Sequence, residues 1–168
     1  MTTVYFIRHA ESDTSVRDGR IRPLTAEGLS RCRFVTEYLQ DKNIDVVLSS
    51  PFKRSVDTVS GYAKQKGMNI ATIEGFREQR SSSDMRRDNP EFRLSLERQW
   101  ADFTYAFSDG ECLQTVQNRN VAALKQVLNE YKDKGIVIGT HATALSTIIN
   151  YFDNTYGFKD FEESEGDK

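Results

Sequence analysis

"TTVYFIRHAE", from Thr2 to Glu11, and "GIVIGTHATAL", from Gly135 to Leu145, decide how this chain folds. Each holds a short, β-rich apolar run of the kind that suits a strand buried on both faces. Directly behind each run stands a histidine, and His9 and His141 are the only two in the chain. "IDVVLSS" (Ile44–Ser50) repeats the pattern without a histidine, and "MNIATIEG" (Met68–Gly75) adds a fourth strand candidate.

Helical patterns separate these runs. Thr25 is a suitable N-cap for a helix in which Leu29, Cys32, Val35 and Leu39 recur at helical spacing. Ser50-Pro51 offers serine at an N-cap and proline at N1, for a helix ending near Gly67. "REQRSSSDMRRD" (Arg77–Asp88) reads as a polar loop. Asn89-Pro90 then opens a helix with Phe92, Leu96, Trp100, Phe103 and Phe107 on one face. After "SDGE" a long helix turns Val121, Leu124, Leu128 and Tyr131 inward, and "ATALSTIINYF" forms the last helix. Residues 153–168, ending in "KDFEESEGDK", read as a polar, frayed tail.

Strands alternating with helices imply an α/β fold whose mostly parallel sheet is covered on both faces. Ligands bind such sheets beyond the carboxyl ends of the strands. Arg8 and His9, Ser50 and Arg54, Glu78, and Thr140 and His141 all follow strands at once, so four segments deliver polar groups to one rim.

Composition bounds what that rim serves. With 168 residues the chain suits a single domain, and 29% charged against 38% hydrophobic residues is ordinary for a globular protein. A net charge of −2 argues against a nucleic-acid partner. The apolar runs are too short to span a membrane and no signal-peptide core opens the chain, so a cytoplasmic protein is expected. Cys32 and Cys112 lack metal-ligand spacing, and with two distant histidines no metal site is expected. Cys112 reads as an inert small residue.

The rim's chemistry suits phosphate. Guanidinium forks match phosphate oxygens, a neutral imidazole can attack phosphorus, and a second histidine can donate to the phosphoryl oxygens in the transition state. A carboxyl whose pKa is raised by burial can protonate a leaving alcohol. No cofactor is called for. The competing reading of Glu78 is a solvated loop carboxylate, and Arg77, Arg80, Arg86 and Arg87 read as a solvated loop face.

"RHAES", "PLTAEG", "SSPFKRSVDT", the glutamate of "FREQR", "DGE" and "GTHA" occur in the order found in the histidine phosphatase superfamily, the phosphoglycerate-mutase-like proteins. The resemblance runs from about Val4 to Ile149. It implies a three-layer α/β/α sandwich and two-step transfer through a phosphohistidine. His9 resembles the phosphorylated residue, Arg8 and Arg54 the phosphate ligands, His141 the second pocket histidine, Glu78 the proton donor and Ser50 the pocket-wall serine. The amide of Ala142, opening the last helix, is a further candidate phosphate contact. Ser15 occupies the place of a phosphate-binding asparagine, and Glu11 and Glu111 match positions near the pocket without an assigned role.

The chain also departs from the family. Ala10 and Ala142 replace the usual glycines, and "QRSSSDMRRDN" stands where a glycine-rich "G-x-W-E-G" commonly follows the acid. A strand usual beyond the last helix has no clear counterpart, which implies either a truncated tail or a smaller sheet. Residues 79–109 fall where the family builds a specificity cap. Arg22-Pro23 resembles the small bacterial protein-phosphohistidine phosphatases, which lack a clear acid.

The expected activity is therefore metal-independent hydrolysis of a small phosphate monoester. The alternatives are a phosphoglycerate mutase, a protein-phosphohistidine phosphatase, and a noncatalytic phosphate-binding module.

Overall fold

Side chains alternate across each strand with period two, and in this chain both faces of the sheet are apolar. Tyr5, Ile7, Val47 and Val137 pack on one side with Leu39, Val59, Tyr62 and Ala63. Val4, Phe6, Leu48, Ile136 and Ile138 pack on the other with Leu124, Val127 and Ile148. The computed structural model describes residues 1–82 and 90–166. Its strands are β1 (Thr3–Arg8), β2 (Val46–Ser49), β3 (Ile70–Thr72) and β4 (Gly135–Thr140). All pair in parallel, in the order β1-β4-β2-β3.

Helices α1 (Ala26–Leu39) and α2 (Lys53–Lys66) supply one outer layer. Helices α4 (Leu113–Glu130) and α5 (Ala142–Phe152) supply the other. Every residue of β4 is buried, as its central place requires. The architecture is the covered parallel sheet expected from the alternation, and the α/β/α sandwich that the resemblance implies. No described helix is long and apolar enough to cross a membrane.

Thr25 caps α1 as its sequence implies, its Oγ1 accepting from the amide of Gly28 at 3.0 Å. Leu29, however, is 56% exposed. Gly28 takes the inward place instead, because α1 starts against the backbone of Glu11 and leaves no room there for a side chain. Helix α2 begins at Lys53, with Phe52 as its N-cap, rather than at Ser50-Pro51. The Ser50 hydroxyl accepts from the Phe52 amide at 3.3 Å and also meets His141, and the helix starts two residues later than the Ser50-Pro51 pair implies. Gly67 ends α2 in the left-handed conformation, with φ of 66°, as a glycine C-cap does.

Two further helices complete the fold: α3 (Pro90–Ala101) and α6 (Phe158–Gly166). The latter corrects the frayed tail expected for residues 153–168 over its residues 158–166. Phe161 is buried in a cluster with Trp100, Leu113 and Ala142, and Phe158 packs at its edge. Arg93 of α3 also reaches Glu162, with Nε at 2.6 Å from the carboxylate. Burying one phenylalanine contributes about 1.5–3 kcal/mol towards holding this segment, alongside its helical hydrogen bonds and the Arg93 pair. The composition looked like a tail because its apolar anchors are only two. Among the described residues no strand follows α5, so the described sheet has four strands.

The contact between α1 and the chain behind His9 yields a test. A β-carbon on Gly28 would stand 2.1 Å from the carbonyl oxygen of Glu11. Gly28→Ala is expected to cost about 1–3 kcal/mol, through the backbone shift that overpacking forces. In a thermal melt each kcal/mol lowers Tm by about 2–4 °C for a chain of this size. An unchanged Tm would show that α1 can withdraw from Glu11 freely.

Candidate active site

The β1–β4 ladder does not stop at the strand ends. The amide of His9 donates to Thr140 O at 3.0 Å, which sets the first histidine beside the second. The amide of Ser50 likewise donates to Gly139 O at 2.8 Å. Three neighbouring strands therefore present His9, His141 and Ser50 at one rim. The His9 and His141 ring centroids are 5.2 Å apart, edge to face.

His9 is oriented by its own backbone. Its Nδ1 lies 2.7 Å from the carbonyl oxygen of Ala10. A carbonyl only accepts, so Nδ1 carries the proton and Nε2 holds the lone pair in the neutral ring, a tautomer assigned from the hydrogen bonding. The Ala10 amide donates to Thr58 Oγ1 at 3.0 Å, and that hydroxyl donates to Arg54 O at 2.7 Å. The loop carrying His9 is thus tied to the first turns of α2.

His141 is wholly buried. Its Nε2 is 2.7 Å from Ser50 Oγ, while its Nδ1 has no hydrogen-bond partner among the described residues. Burial, and then the nearby charges of Arg54 and His9, hold its pKa well below the ordinary histidine value. The ring is therefore neutral at pH 7. Assigning the Ser50 hydroxyl as donor to Nε2 places the single N–H proton of the neutral ring on Nδ1.

Arg54 is buried with its Nη1 donating to Gly19 O at 2.7 Å, and its guanidinium lies 5.0 Å from the centre of the Phe52 ring. Phe52 also meets His141 edge to face, with centroids 5.2 Å apart. A fixed positive charge therefore stands beside the two histidines.

Glu78 enters from the segment after β3. The residue as a whole is partly exposed, but its carboxyl is enclosed by backbone amides at the start of α5. Oε1 accepts from Gln79 N at 2.8 Å and Ala144 N at 3.1 Å, and Oε2 from Thr143 N at 3.2 Å. Desolvation raises its pKa and outweighs these amides and the charge of Arg54, which act in the opposite sense. The solvated-carboxylate reading of Glu78 does not fit this setting.

Other expected residues stand differently. Arg8 turns to α6, with Nη1 donating to Ser164 O at 2.5 Å and Nη2 pairing with Glu165 Oε1 at 2.9 Å. Ser15 is exposed and its hydroxyl donates to Asp13 Oδ1 at 2.6 Å, so its side chain serves its own loop. Ala142 is buried at the first turn of α5, one residue ahead of the two amides that Glu78 occupies. Glu11 is exposed, and its carbonyl accepts from the amide of Thr25 at 3.0 Å.

Two arginines have roles that a reading of charge and periodicity does not reveal. Arg77 is no solvated loop residue: its two terminal nitrogens each meet a Glu111 oxygen at 2.7 Å. Arg119, not singled out by sequence, lies beneath the same loop and also reaches Glu111, at 3.3 Å. A signal for it existed, because Arg119 falls between Val116 and Ala123 on the apolar stripe of α4. Burial would raise the Glu111 carboxyl, but hydrogen bonds from Arg77, the Arg80 amide and Arg119 outweigh it and hold the pKa at about 2. Arg80 does remain exposed, 3.6 Å from Asp109, while Arg86 and Arg87 lie outside the described residues. Among the described residues no group of three or more His, Cys, Asp or Glu could hold a metal ion.

Comparison with known proteins agrees with the fold. The profile of the histidine phosphatase superfamily (branch 1) matches residues 4–165. An uncharacterized phosphatase, PhoE of Bacillus subtilis (strain 168), is 27% identical over 153 residues, covering 89% of this chain and 76% of PhoE. YhfR of Bacillus stearothermophilus superposes with a TM-score of 0.76 at 22% identity, over 92% of this chain and 81% of that one. A mycobacterial glucosyl-3-phosphoglycerate phosphatase superposes at 0.73 with 18% identity, over 87% and 76% of the two chains. A phosphoserine phosphatase from Entamoeba histolytica gives 0.73 at 22%, over 89% and 79%. These likenesses bear on the fold.

With two histidines, imidazole NMR can follow each ring after assignment through His9→Ala. His141 is expected to stay neutral as pH falls through about 6.5, where an unperturbed histidine gains its proton. Titration of His141 at the ordinary value would mean that its ring is open to water.

Proposed function

The chain belongs to the histidine phosphatase superfamily, and we propose that it is a metal-independent phosphatase acting on a phosphate monoester through a phosphohistidine at His9. The observation that carries this reading is the placement of a histidine pair, its buried member neutral, beside a buried arginine, with an enclosed carboxyl at the adjoining helix start.

In the first step, Nε2 of His9 attacks phosphorus as the bond to the ester oxygen breaks. Glu78 gives its proton to that oxygen and the alcohol leaves. Arg54, the Nδ1–H of His141 and the amide of Ala142 hold the equatorial oxygens, while Ser50 fixes the His141 ring. Arg8 joins them by exchanging the Glu165 carboxylate for a phosphoryl oxygen. In the second step, water attacks phosphorus and passes a proton to Glu78. The P–N bond breaks, and orthophosphate leaves with His9 restored. Guanidinium and backbone dipoles supply the charge stabilisation, so the reading requires no metal. Ser15 has a place here only if its loop turns its hydroxyl from Asp13 to phosphate.

The substrate class we assign is a small phosphorylated metabolite. Similar folds carry the names phosphoserine phosphatase and glucosyl-3-phosphoglycerate phosphatase. Residues 79–109 are assigned as the cap that selects among such esters within a single domain. An enclosed Glu78 supports an oxygen ester over a protein phosphohistidine, because an alkoxide needs a proton to leave and an imidazole leaving group needs less help.

The direct test is p-nitrophenyl phosphate turnover in excess EDTA. Turnover is expected to persist in the wild type and to be abolished in His9→Ala, with Tm little changed because a rim residue carries little core packing. Activity retained in His9→Ala would remove the covalent mechanism. The raised pKa of Glu78 also sets a pH dependence. The acid form is lost as pH rises, so kcat for an alkyl phosphate should fall on the alkaline side while the free carboxylate form accumulates. A flat profile from acid through neutral pH would take the acid role from Glu78.

A further inference from the structure

His9 and His141 each directly follow a strand, whereas Glu78 is delivered by a segment lacking regular structure, between the 3-10 turn at Glu74–Phe76 and the cap. A general acid must hold its proton within hydrogen-bond reach of the leaving oxygen, and a displacement of about 1 Å can cost about 100-fold in rate. Something has to fix that segment.

Arg119 on α4 meets it along its length. Nη1 donates to Gly75 O at 3.0 Å and to Arg77 O at 2.6 Å. Nη2 donates to Glu78 O at 3.1 Å and to Glu111 Oε2 at 3.3 Å, and Nε to Glu111 Oε1 at 3.4 Å. One planar group thus gathers three carbonyls, including that of Glu78 itself. Glu111 grips the other side, taking the Arg77 fork at 2.7 Å and the Arg80 amide at 2.8 Å. The loop also lies close on α4, since a β-carbon at Gly75 would come within 2.7 Å of Ala123 Cβ.

We propose that Arg119, braced by Glu111, is a positioning residue for the proton donor: it holds the Gly75–Arg80 backbone so that the Glu78 carboxyl stays at the start of α5. Arg119 touches neither substrate nor His9 in this role. A lysine cannot replace it, because an ammonium on a flexible stem lacks the planar fork that spans separate carbonyls. The inference rests on the reading of Glu78 as the acid.

Leaving-group dependence distinguishes positioning from bulk structure. An alkyl phosphate needs protonation of its leaving oxygen, whereas p-nitrophenolate leaves without it. Arg119→Lys and Arg119→Ala are compared with wild type and Glu78→Gln, after melts establish which variants are folded at the assay temperature. The comparison is made in kcat/KM, which ends at release of the leaving group and leaves out the hydrolytic step that Glu78 also assists. The expected loss for an alkyl phosphate is about 100-fold or more in Arg119→Ala, of the order removed with a general acid, and for p-nitrophenyl phosphate about a few fold. Arg119→Lys should show the same selectivity with a smaller loss, and it carries the test if the alanine variant is unfolded. Equal losses on both substrates, beside a selective loss in Glu78→Gln, would overturn the role of Arg119 alone. No selectivity in Glu78→Gln would overturn the acid assignment itself, and the positioning role with it.

Discussion

The parallel ladder between β1 and β4, in register from Thr3 against Gly135 to Arg8 against Thr140, is the constraint on which the site depends. Residues that follow two strands in parallel register emerge side by side. The extra bond from His9 N to Thr140 O carries that registry one step beyond the strands and brings the rings into edge contact. A slip of one residue would turn every side chain of β1 to the opposite face of the sheet. It would also move His9 away from its partner. The apolar alternation on both faces resists such a slip, because Tyr5 and Ile7 would exchange places with Val4 and Phe6 in two differently shaped cores. Core packing and site geometry are therefore enforced by the same residues.

Electrostatics at the rim follow from that placement. His141 sits at the end of the fully buried strand, so its ring loses water and its charged form is disfavoured. Arg54 keeps its charge nearby because guanidinium does not deprotonate in proteins, and its donors reach backbone oxygen. Glu78 shows two opposed effects at one carboxyl. Three amides favour the anion, burial favours the acid, and burial prevails. Glu111, a few residues' reach away in the same loop system, ends on the other side of this balance because two arginines surround it. Two glutamates of one loop system thus have pKa values pushed in opposite directions, one suited to chemistry and one to structure.

Helix α6 adds a link between the end of the described chain and its beginning. Its aromatic anchors pack on Trp100 of α3, and its last turn receives Arg8. A residue expected at the phosphate is thereby tied to a segment expected to be free. The expectation of a free tail fails because neither the apolar pair Phe158 and Phe161 nor the carboxylate of Glu165 has a visible partner until the chain is folded.

The sequence by itself determined what depends on neighbours in the chain. The strands, most helices, the Thr25 cap, the Gly67 stop and the order of polar groups behind the strands all rest on spacings of two to four residues. Those short-range patterns sufficed for the fold class, for the pairing of His9 with His141 and for Arg54 and Ser50 at the same rim. Tertiary structure alone decided the state and partners of the charged groups. Arg77 looked solvated and Arg119 passed unnoticed because the carboxylate that binds both lies 34 and 8 residues away. Leu29 looked inward because its spacing fits, and only the approach of Glu11 shows that Gly28 must face that way. The physical reason is common to all of them. Periodicity reports which face of an element is apolar, whereas the free energy of a charge depends on which groups the complete fold brings to it.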